Sequence, residues 1–393
     1  MGKYDLLVFE NYHAAENHKY DVVLIGHLLQ RAGLNVAVLD IYGEDPCEKM
    51  EGLPVVHLTF KKPIPNDHWQ KHPKNKLFSL ISLIRFLWQQ HWYFKKVIRE
   101  IVPMADRFYC GSYHLGMSRQ LLKINKPCYL WGLRSARMTG LWAKFKKNPI
   151  IAVRMIMLKY AFMRNPQQFF FISNHIIRSE FAKLGIPQNR MILREERCVE
   201  KLGNKRIEVM TPAFSLLTIG MLRPEKRIEM TIKEFLHCNN PDWTYKLAGK
   251  SNPKYETTIE TMIHGHSNII RINEYLDYAQ FNRLFAETHF VVFADKWQGS
   301  SVTNGTMMEA LINYRPIIAP NYDPYRFYIE KYGVGILYSP DINGDLSRAI
   351  VEANTLGCLH FMQNIDKFLR TIQFDYVSKK LLLQMYGNKI LVG

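Results

Sequence analysis

Hydroxyl and amide side chains precede an apolar helical pattern in the segment QGSSVTNGTMMEALINYRPIIAP, which covers residues 298–320. The residues that approach the pattern MMEALIN are Ser301, Thr303, Asn304 and Gly305. A helix N-terminus with free N–H groups, hydroxyls and a glycine suits a phosphate or a sugar. Glu309 lies about one turn inside the helix, where its carboxylate can accept hydrogen bonds from vicinal hydroxyls such as those of a ribose. The alternative is that Thr303 or Asn304 caps the helix and Glu309 only balances its dipole.

A second group of polar residues follows the apolar run SLLTIG, in the stretch GMLRPEKRIEM. Arg223 and Lys226 come just before or within the first helical turn, where the helix dipole disfavours cations. They are favourable there if an anion lies between them, because a diphosphate can be held by the Arg fork, the Lys charge and the helix dipole together. The alternative is a pair of solvated side chains beside a turn that Pro224 starts.

The elements that position these residues alternate between strand and helix along the whole chain of 393 residues. The predicted strands of the first half are 6–9, 35–40, 107–111, 127–135 and 169–174. After a polar connector with little periodicity, the pattern restarts at Ser215 with strands at 215–220, 245–249, 268–272, 290–294 and 316–320. Such alternation predicts an α/β protein with mostly parallel sheets and helices on both faces. We expect two Rossmann-like, doubly wound domains, 1–204 and 205–370, that face an interdomain cleft, and a helix at 371–393 that returns towards the first domain.

Several segments in this order resemble one family. GMLRPEK, LAGKSNPKY, NIIRINEYL, SSVTNGTMMEALINYRPIIAP, KYGVGILY and FFISNHIIRSEFAKLGIP are similar to segments of GT-B glycosyltransferases, above all family 4 (glycosyl transferases group 1). The resemblance extends from Phe169 to Tyr338 and covers the first half only in outline. It implies a GT-B fold, a nucleotide-diphosphate sugar as donor, and no cofactor.

The resemblance also assigns donor-binding residues. The G-x-L-x-x-x-K pattern falls on Gly220, Leu222 and Lys226, which implies that Lys226 contacts the donor diphosphate. The usual Arg after the Gly is Met221 here, and Arg223 is its substitute. In the E-x7-E pattern the second Glu, which binds the ribose, is Glu309.

The first Glu of that pattern, which contacts the donor sugar, is replaced by Ser301, so the sugar and the stereochemistry stay open. The segment that would face the nucleobase through backbone groups contains Asn273, Glu274 and Leu276.

The absence of a D-x-D motif argues against the metal-dependent GT-A type. Leaving-group charge would then be met by Arg223, Lys226 and helix dipoles, and a retaining reaction is favoured. An inverting reaction needs a protein base, for which His13 in the loop ENYHAAENHKY is the preferred candidate. The residues expected on the acceptor or donor-sugar side are Glu10, His13, Glu16, His18, Gly111, Ser112, His114, Arg134 and Arg137.

The net charge of +17 comes from one part of the chain. Residues 61–164 contain 21 Lys or Arg against three acids, interleaved with aromatic residues. This mixture suits an anionic membrane surface; nucleic acid is an unlikely competing partner, and the alternative is a pair of core helices with solvated basic faces. We expect no signal peptide, membrane-spanning segment, disulfide framework or metal site.

The sequence therefore predicts a cytoplasmic glycosyltransferase, peripheral at the inner face of the plasma membrane. Its expected acceptor is a lipid-linked saccharide of surface polysaccharide biosynthesis. Two alternatives remain: a nucleotide-sugar epimerase or hydrolase of the same fold, and a non-catalytic anion-binding protein on nucleic acid or membrane.

Overall fold

The structure, a computed structural model, describes most of the second half of the chain and parts of the first. The described residues are 3–9, 17–40, 52–57, 92, 95–111, 124–131, 159–160, 162–183, 185–194, 197–200, 213–295 and 304–387. The chain divides into two compact units, a first unit of Met1–Glu196 with Val377–Gly393 and a second unit of Arg197–Tyr376. The sequence had put these boundaries after residues 204 and 370. Among the helices in the described ranges, none is both long and apolar enough to cross a membrane.

The first unit contains a parallel sheet of seven strands in the order β3-β2-β1-β4-β5-β6-β7. Its strands are β1 (Leu6–Phe9), β2 (Val36–Asp40), β3 (Val55–His57), β4 (Phe108–Cys110), β5 (Cys128–Trp131), β6 (Gln168–Ile172) and β7 (Met191–Leu193). Its helices include α1 (Asn17–Arg31) and α2 (His175–Lys183), and a 3-10 turn covers Gln188–Arg190. The strands are short and apolar, as expected of a parallel sheet covered on both faces.

The second unit contains a parallel sheet of six strands in the order β10-β9-β8-β11-β12-β13. The strands are β8 (Ser215–Ile219), β9 (Thr244–Ala248), β10 (Ile269–Ile272), β11 (Phe290–Val292), β12 (Ile317–Pro320) and β13 (Gly335–Tyr338). The helices are α3 (Ile228–His237), α4 (Pro253–Ile263), α5 (Tyr278–Ala286), α6 (Gly305–Ile312), α7 (Tyr325–Tyr332), α8 (Asp345–Leu356) and α9 (Met362–Thr371), with 3-10 turns at Pro224–Lys226 and Cys358–Phe361. The order reverses between β8 and β11, and the crevice at such a point is where open α/β sheets bind ligands.

The last helix, α10 (Phe374–Tyr386), begins in the second unit and ends in the first. In the first unit the Leu193 amide donates to the Gln384 side-chain oxygen at 3.0 Å. The guanidinium of Arg107 lies 3.8 Å from the centre of the Tyr386 ring. The C-terminal part of α10 therefore packs on the sheet of the first unit.

The sequence reading missed some elements. The connector that begins at Gly185 is polar and has little periodicity, but its residues Met191–Leu193 form β7 and are buried. Strands of three residues such as β3 and β7 give no periodic pattern. The strand β13, helices α7 and α8 and nearly all of α9 lie within the predicted second domain, 205–370, but the strands predicted for it end at Pro320.

Two glycines bring β8 and β9 close together where they end. Gly220 and Gly249 have φ angles of +95° and +124°, which L side chains rarely adopt. A methyl group on Gly249 would lie 2.1 Å from the carbonyl oxygen of Gly220. The backbone at this edge of the sheet can take its shape only with glycine at position 249.

The N-terminus of α6 is held by hydrogen bonds. The side-chain oxygen of Asn304 accepts from the Thr306 amide at 2.9 Å, which makes Asn304 the N-cap. Its amide nitrogen donates to the Tyr325 hydroxyl at 2.7 Å, and this hydroxyl donates to Asp295 at 2.5 Å. Burial first, and then the Asp295 carboxylate, raise the pKa of Tyr325 well above its ordinary range, so the hydroxyl remains a donor. The strand end after β11 and the start of α6 are thereby tied to α7.

The substitution Gly249→Ala tests the close approach of β8 and β9. We expect it to lower the free energy of unfolding by about 2–4 kcal/mol, because the methyl group must displace backbone. The matched control is Gly265→Ala, which has a φ of +81° but no described atom within 4 Å of the added methyl group. Its loss should be about 1 kcal/mol, the cost of the left-handed conformation alone. Denaturant titration measures both, and equal losses would contradict the steric argument.

The substitution Tyr325→Phe tests the hydrogen bonds at the start of α6. We expect a loss of about 1–3 kcal/mol in unfolding free energy, since Asp295 and Asn304 each lose a partner for a polar atom. Tyr322→Phe is the control, because the Tyr322 hydroxyl oxygen is buried and has no hydrogen-bond partner among the described residues. Its removal should cost nothing or stabilise the protein. A larger loss from Tyr322→Phe than from Tyr325→Phe, measured by chemical denaturation, would refute this account.

Candidate functional site

The amino group of Lys226 lies at the end of β8, beside the first turn of α6. Its Nζ donates a hydrogen bond to the Ile219 carbonyl oxygen at 3.0 Å. A methyl group placed on Gly220 would lie 3.4 Å from this Nζ and 3.5 Å from the Thr306 hydroxyl oxygen. The ammonium, the glycine turn and a hydroxyl of α6 are thus brought together at one edge of the sheet.

Burial lowers the pKa of Lys226 below its ordinary value of 10.5. The negative charge of Asp295 opposes this shift, and the nearby positive charge of Arg223 adds to it. Desolvation therefore costs the ammonium free energy that the surrounding protein offsets only in part. An anion at this place would restore that free energy, which makes Lys226 a stronger anion ligand than a solvated lysine.

Arg223 is the N-cap of the 3-10 turn Pro224–Lys226 and is exposed. Its Nε and Nη2 atoms lie 3.0 Å and 2.8 Å from the Met221 sulfur. A thioether is a weak acceptor, so little is lost when the guanidinium turns to an anion. The structure therefore brings Arg223 and Lys226 together, with Met221 as the resting contact of the guanidinium.

The helix α6 begins at Gly305, with Asn304 before it. Asn304 is the N-cap, as one of the two alternatives from the sequence predicts. Its side-chain oxygen accepts the hydrogen bond from the Thr306 amide. No described atom lies within 4 Å of the position that a methyl group on Gly305 would take.

Glu309 is not isolated. Its Oε1 lies 3.6 Å from the Nε of Arg197, with 24% of the Glu309 side chain and 34% of the Arg197 side chain exposed. Sequence reasoning named Glu309 and missed Arg197, which lies in the stretch read as a polar connector. Arg197 and Glu309 are far apart in the sequence, so no local sequence pattern predicts that they form a pair.

The segment after β10, predicted to face a nucleobase, has its side chains engaged within the second unit. The Asn273 side-chain oxygen accepts from the Ser251 amide at 3.5 Å, and Glu274 accepts from Gln280 at 3.0 Å. Leu276 packs against the core. Asn273 and Glu274 nevertheless remain exposed, so their side chains as well as their backbone groups are candidate ligand contacts.

Other predicted residues lie outside the part of the chain that the structure describes. These residues are Glu10, His13, Glu16, Ser112, His114, Arg134, Arg137, Ser301 and Thr303. His18 belongs to α1, and Gly111 follows β4 directly. Within the described ranges no group of three or more His, Cys, Asp or Glu residues could hold a metal ion.

Three solved structures with the same fold are distant from this chain in sequence. This chain superposes on Anabaena HepE in complex with UDP with a TM-score of 0.67 at 12% sequence identity. It superposes on the apo form of the lipopolysaccharide outer core galactosyltransferase WaaB with a TM-score of 0.65 at 11% identity. Each match covers 97% of this chain and 99% of the other chain. Sucrose-phosphate synthase from Thermosynechococcus elongatus matches 97% of this chain and 98% of its own with a TM-score of 0.65 at 13% identity.

No protein-family model matches the sequence, and no curated protein matches it either. The structural likeness thus shows the fold. The chain has the GT-B fold, built from two Rossmann-like units, as the sequence predicted.

Proposed function

We propose that this protein is a glycosyltransferase that moves a sugar from a nucleotide-diphosphate sugar, with UDP or GDP, to a saccharide acceptor. The observation that supports this most is the desolvated, half-buried ammonium of Lys226 beside the glycine turn and the first turn of α6. HepE, which shares the fold, was solved in complexes with UDP and with UDP-glucose. A diphosphate needs positive charge and hydrogen-bond donors, and the residues around Lys226 offer both.

In this proposal the leaving diphosphate is stabilised without a metal ion. Lys226 supplies a desolvated positive charge, Arg223 supplies a guanidinium that leaves the Met221 sulfur, and α6 supplies N–H groups near Gly305. Fixed charges in a partly dry site stabilise developing negative charge with little reorganisation. Glu309 accepts hydrogen bonds from the ribose hydroxyls, and the segment that contains Asn273, Glu274 and Leu276 contacts the base through its backbone.

We favour a retaining reaction. The departing phosphate then takes the proton of the acceptor hydroxyl on the same face of the sugar, so the second unit needs to supply only charge stabilisation. Ser301 stays a proposed donor-sugar contact and Thr303 a proposed donor-binding residue. His13 stays the base that an inverting reaction would need. The first unit, with Glu10, His18, Ser112, His114 and Arg134, is proposed to bind the acceptor.

The proposed acceptor is a lipid-linked saccharide at the cytoplasmic face of a membrane. Two exposed basic and aromatic pairs of the first unit support contact with a membrane surface. Lys95 lies 4.7 Å from the Trp92 ring centre and Arg164 lies 4.2 Å from that of Tyr160, with the two rings 50% and 56% exposed. Cations beside interfacial aromatic rings suit anionic headgroups. By contrast, Lys126 donates to the carbonyls of Val102 and Ala105 at 2.9 Å and 2.7 Å and serves the fold.

A thermal-shift panel of nucleotide diphosphates and nucleotide sugars tests the donor class. We expect UDP or GDP and the matching sugar nucleotide to raise the melting temperature, because a ligand that binds only the folded state stabilises it. Labelled sugar should then move to a lipid-linked acceptor. Free sugar or an isomerised donor without acceptor dependence would instead indicate a hydrolase or epimerase. Strong salt-dependent oligonucleotide binding without any nucleotide effect would contradict the proposal.

The substitution Lys226→Met should weaken UDP or GDP binding about 10- to 100-fold, the equivalent of a charge-assisted hydrogen bond worth about 1.5–3 kcal/mol. Lys233→Met, which removes an exposed lysine of α3, is the matched control and should leave the affinity unchanged. Isothermal titration calorimetry measures both constants. Equal affinities for the two variants would remove Lys226 from the donor site.

The affinity for the diphosphate should also depend on alkaline pH. The charged form of Lys226 binds the phosphate, and its pKa in the free protein is below 10.5. Binding should therefore weaken as the pH rises through that lowered pKa, and stay constant with respect to this group below it. The Lys226→Met variant shows the titration of the nucleotide alone. A wild-type profile parallel to that of the variant would contradict this assignment.

A further inference from the structure

The backbone segments that carry Arg197 and Glu309 are both held in place by contacts within the second unit. The segment that contains Arg197 is pinned by two backbone hydrogen bonds: the Val199 amide donates to the Ile372 carbonyl at 3.1 Å, and the Phe374 amide donates to the Val199 carbonyl at 2.8 Å. Ile372 and Phe374 are buried. Arg197 therefore starts from a fixed backbone only two residues from this bridge.

The other partner is anchored by the same part of the second unit. Glu309 lies on α6, and α6 contacts α9, the helix that leads directly to Ile372. The Tyr314 hydroxyl, just beyond α6, lies 3.2 Å from the Asp366 carboxylate of α9. The backbone that bears Arg197 and the helix that bears Glu309 thus share one support, so their 3.6 Å approach is built into the fold of this unit.

Both side chains are partly exposed to solvent, which limits the contribution of the pair to stability and makes it accessible to a ligand. With 24% and 34% of the side chains exposed, the pair is a weak contributor to stability. The same exposure lets a ligand reach the carboxylate. A guanidinium beside Oε1 restricts the rotamers of Glu309. A carboxylate has several lone pairs, so it can accept from a ligand hydroxyl as well.

We propose that Arg197 is a positioning residue that orients the Glu309 carboxylate for the ribose hydroxyls of the donor. This inference rests on the proposed function, since it presumes that a nucleotide binds here. Arg197 then acts through Glu309: it affects the recognition of the ribose more than the stability of the protein, and its effect disappears when Glu309 cannot bind the ribose.

The test compares ribose recognition in the full chain. Affinities for UDP and GDP, and for their 2′,3′-dideoxy analogues, are measured for the wild type and for Arg197→Gln, Arg197→Lys, Glu309→Gln and the double variant Arg197→Gln with Glu309→Gln. The preference for the ribose form over its dideoxy analogue is the readout, because a merely structural role would weaken both nucleotides alike. Arg370→Gln is the control: Arg370 pairs with Asp366 at 2.9 Å in the same unit and is 65% exposed.

We expect Glu309→Gln to abolish most of the ribose preference and Arg197→Gln to reduce it about three- to tenfold, as for the loss of one or two orienting contacts. The double variant should resemble Glu309→Gln, since the two residues act in series. Arg197→Lys should restore part of the preference, and Arg370→Gln should not change it. Melting temperatures confirm that each variant is folded.

The outcomes separate the two proposals. If Glu309→Gln loses the preference while Arg197→Gln keeps it, or if the two effects simply add, the positioning role is refuted and the proposed function stands. If the folded wild type binds neither diphosphate, the proposed function fails, and the role of Arg197 fails with it.

Discussion

The candidate site of the second unit depends on the desolvated ammonium of Lys226 at the end of β8. Lys226 donates to the Ile219 carbonyl and lies beside Gly220, where burial lowers its pKa and Asp295 offsets part of the cost. A desolvated charge that is only partly compensated is unfavourable. A phosphate group would complete the compensation, and the other features of the site follow from that requirement.

The surroundings of Lys226 are shaped by backbone more than by side chains. The approach of Gly249 to the Gly220 carbonyl leaves no room for a side chain between β8 and β9. Asn304 caps α6 and is itself held by Tyr325 and Asp295, so the helix N-terminus has a defined direction. Groups positioned in this way need little reorganisation when charge develops, which is the main source of electrostatic catalysis.

The alternating pattern of the second half was enough to predict five of its strands and the fold class, because parallel strands there are apolar runs separated by amphipathic helices. Lys226 and Glu309 could be named because each follows a strand in a recognisable motif. Arg197 could not, because its contact depends on a backbone bridge between Val199 and Gln373, distant in sequence. The sequence does not reveal β7 for a related reason: its three apolar residues lie within a polar connector, and only tertiary pairing defines the strand.

The central claim is that the diphosphate of a nucleotide-sugar donor binds between the Lys226 ammonium and the first turn of α6. A crystal structure of the full chain with bound UDP or GDP tests this most directly. The account predicts a phosphate oxygen within about 3 Å of the Lys226 Nζ, a charge-assisted hydrogen bond, and another at the N–H groups of α6. A nucleotide whose phosphates lie away from both would contradict it.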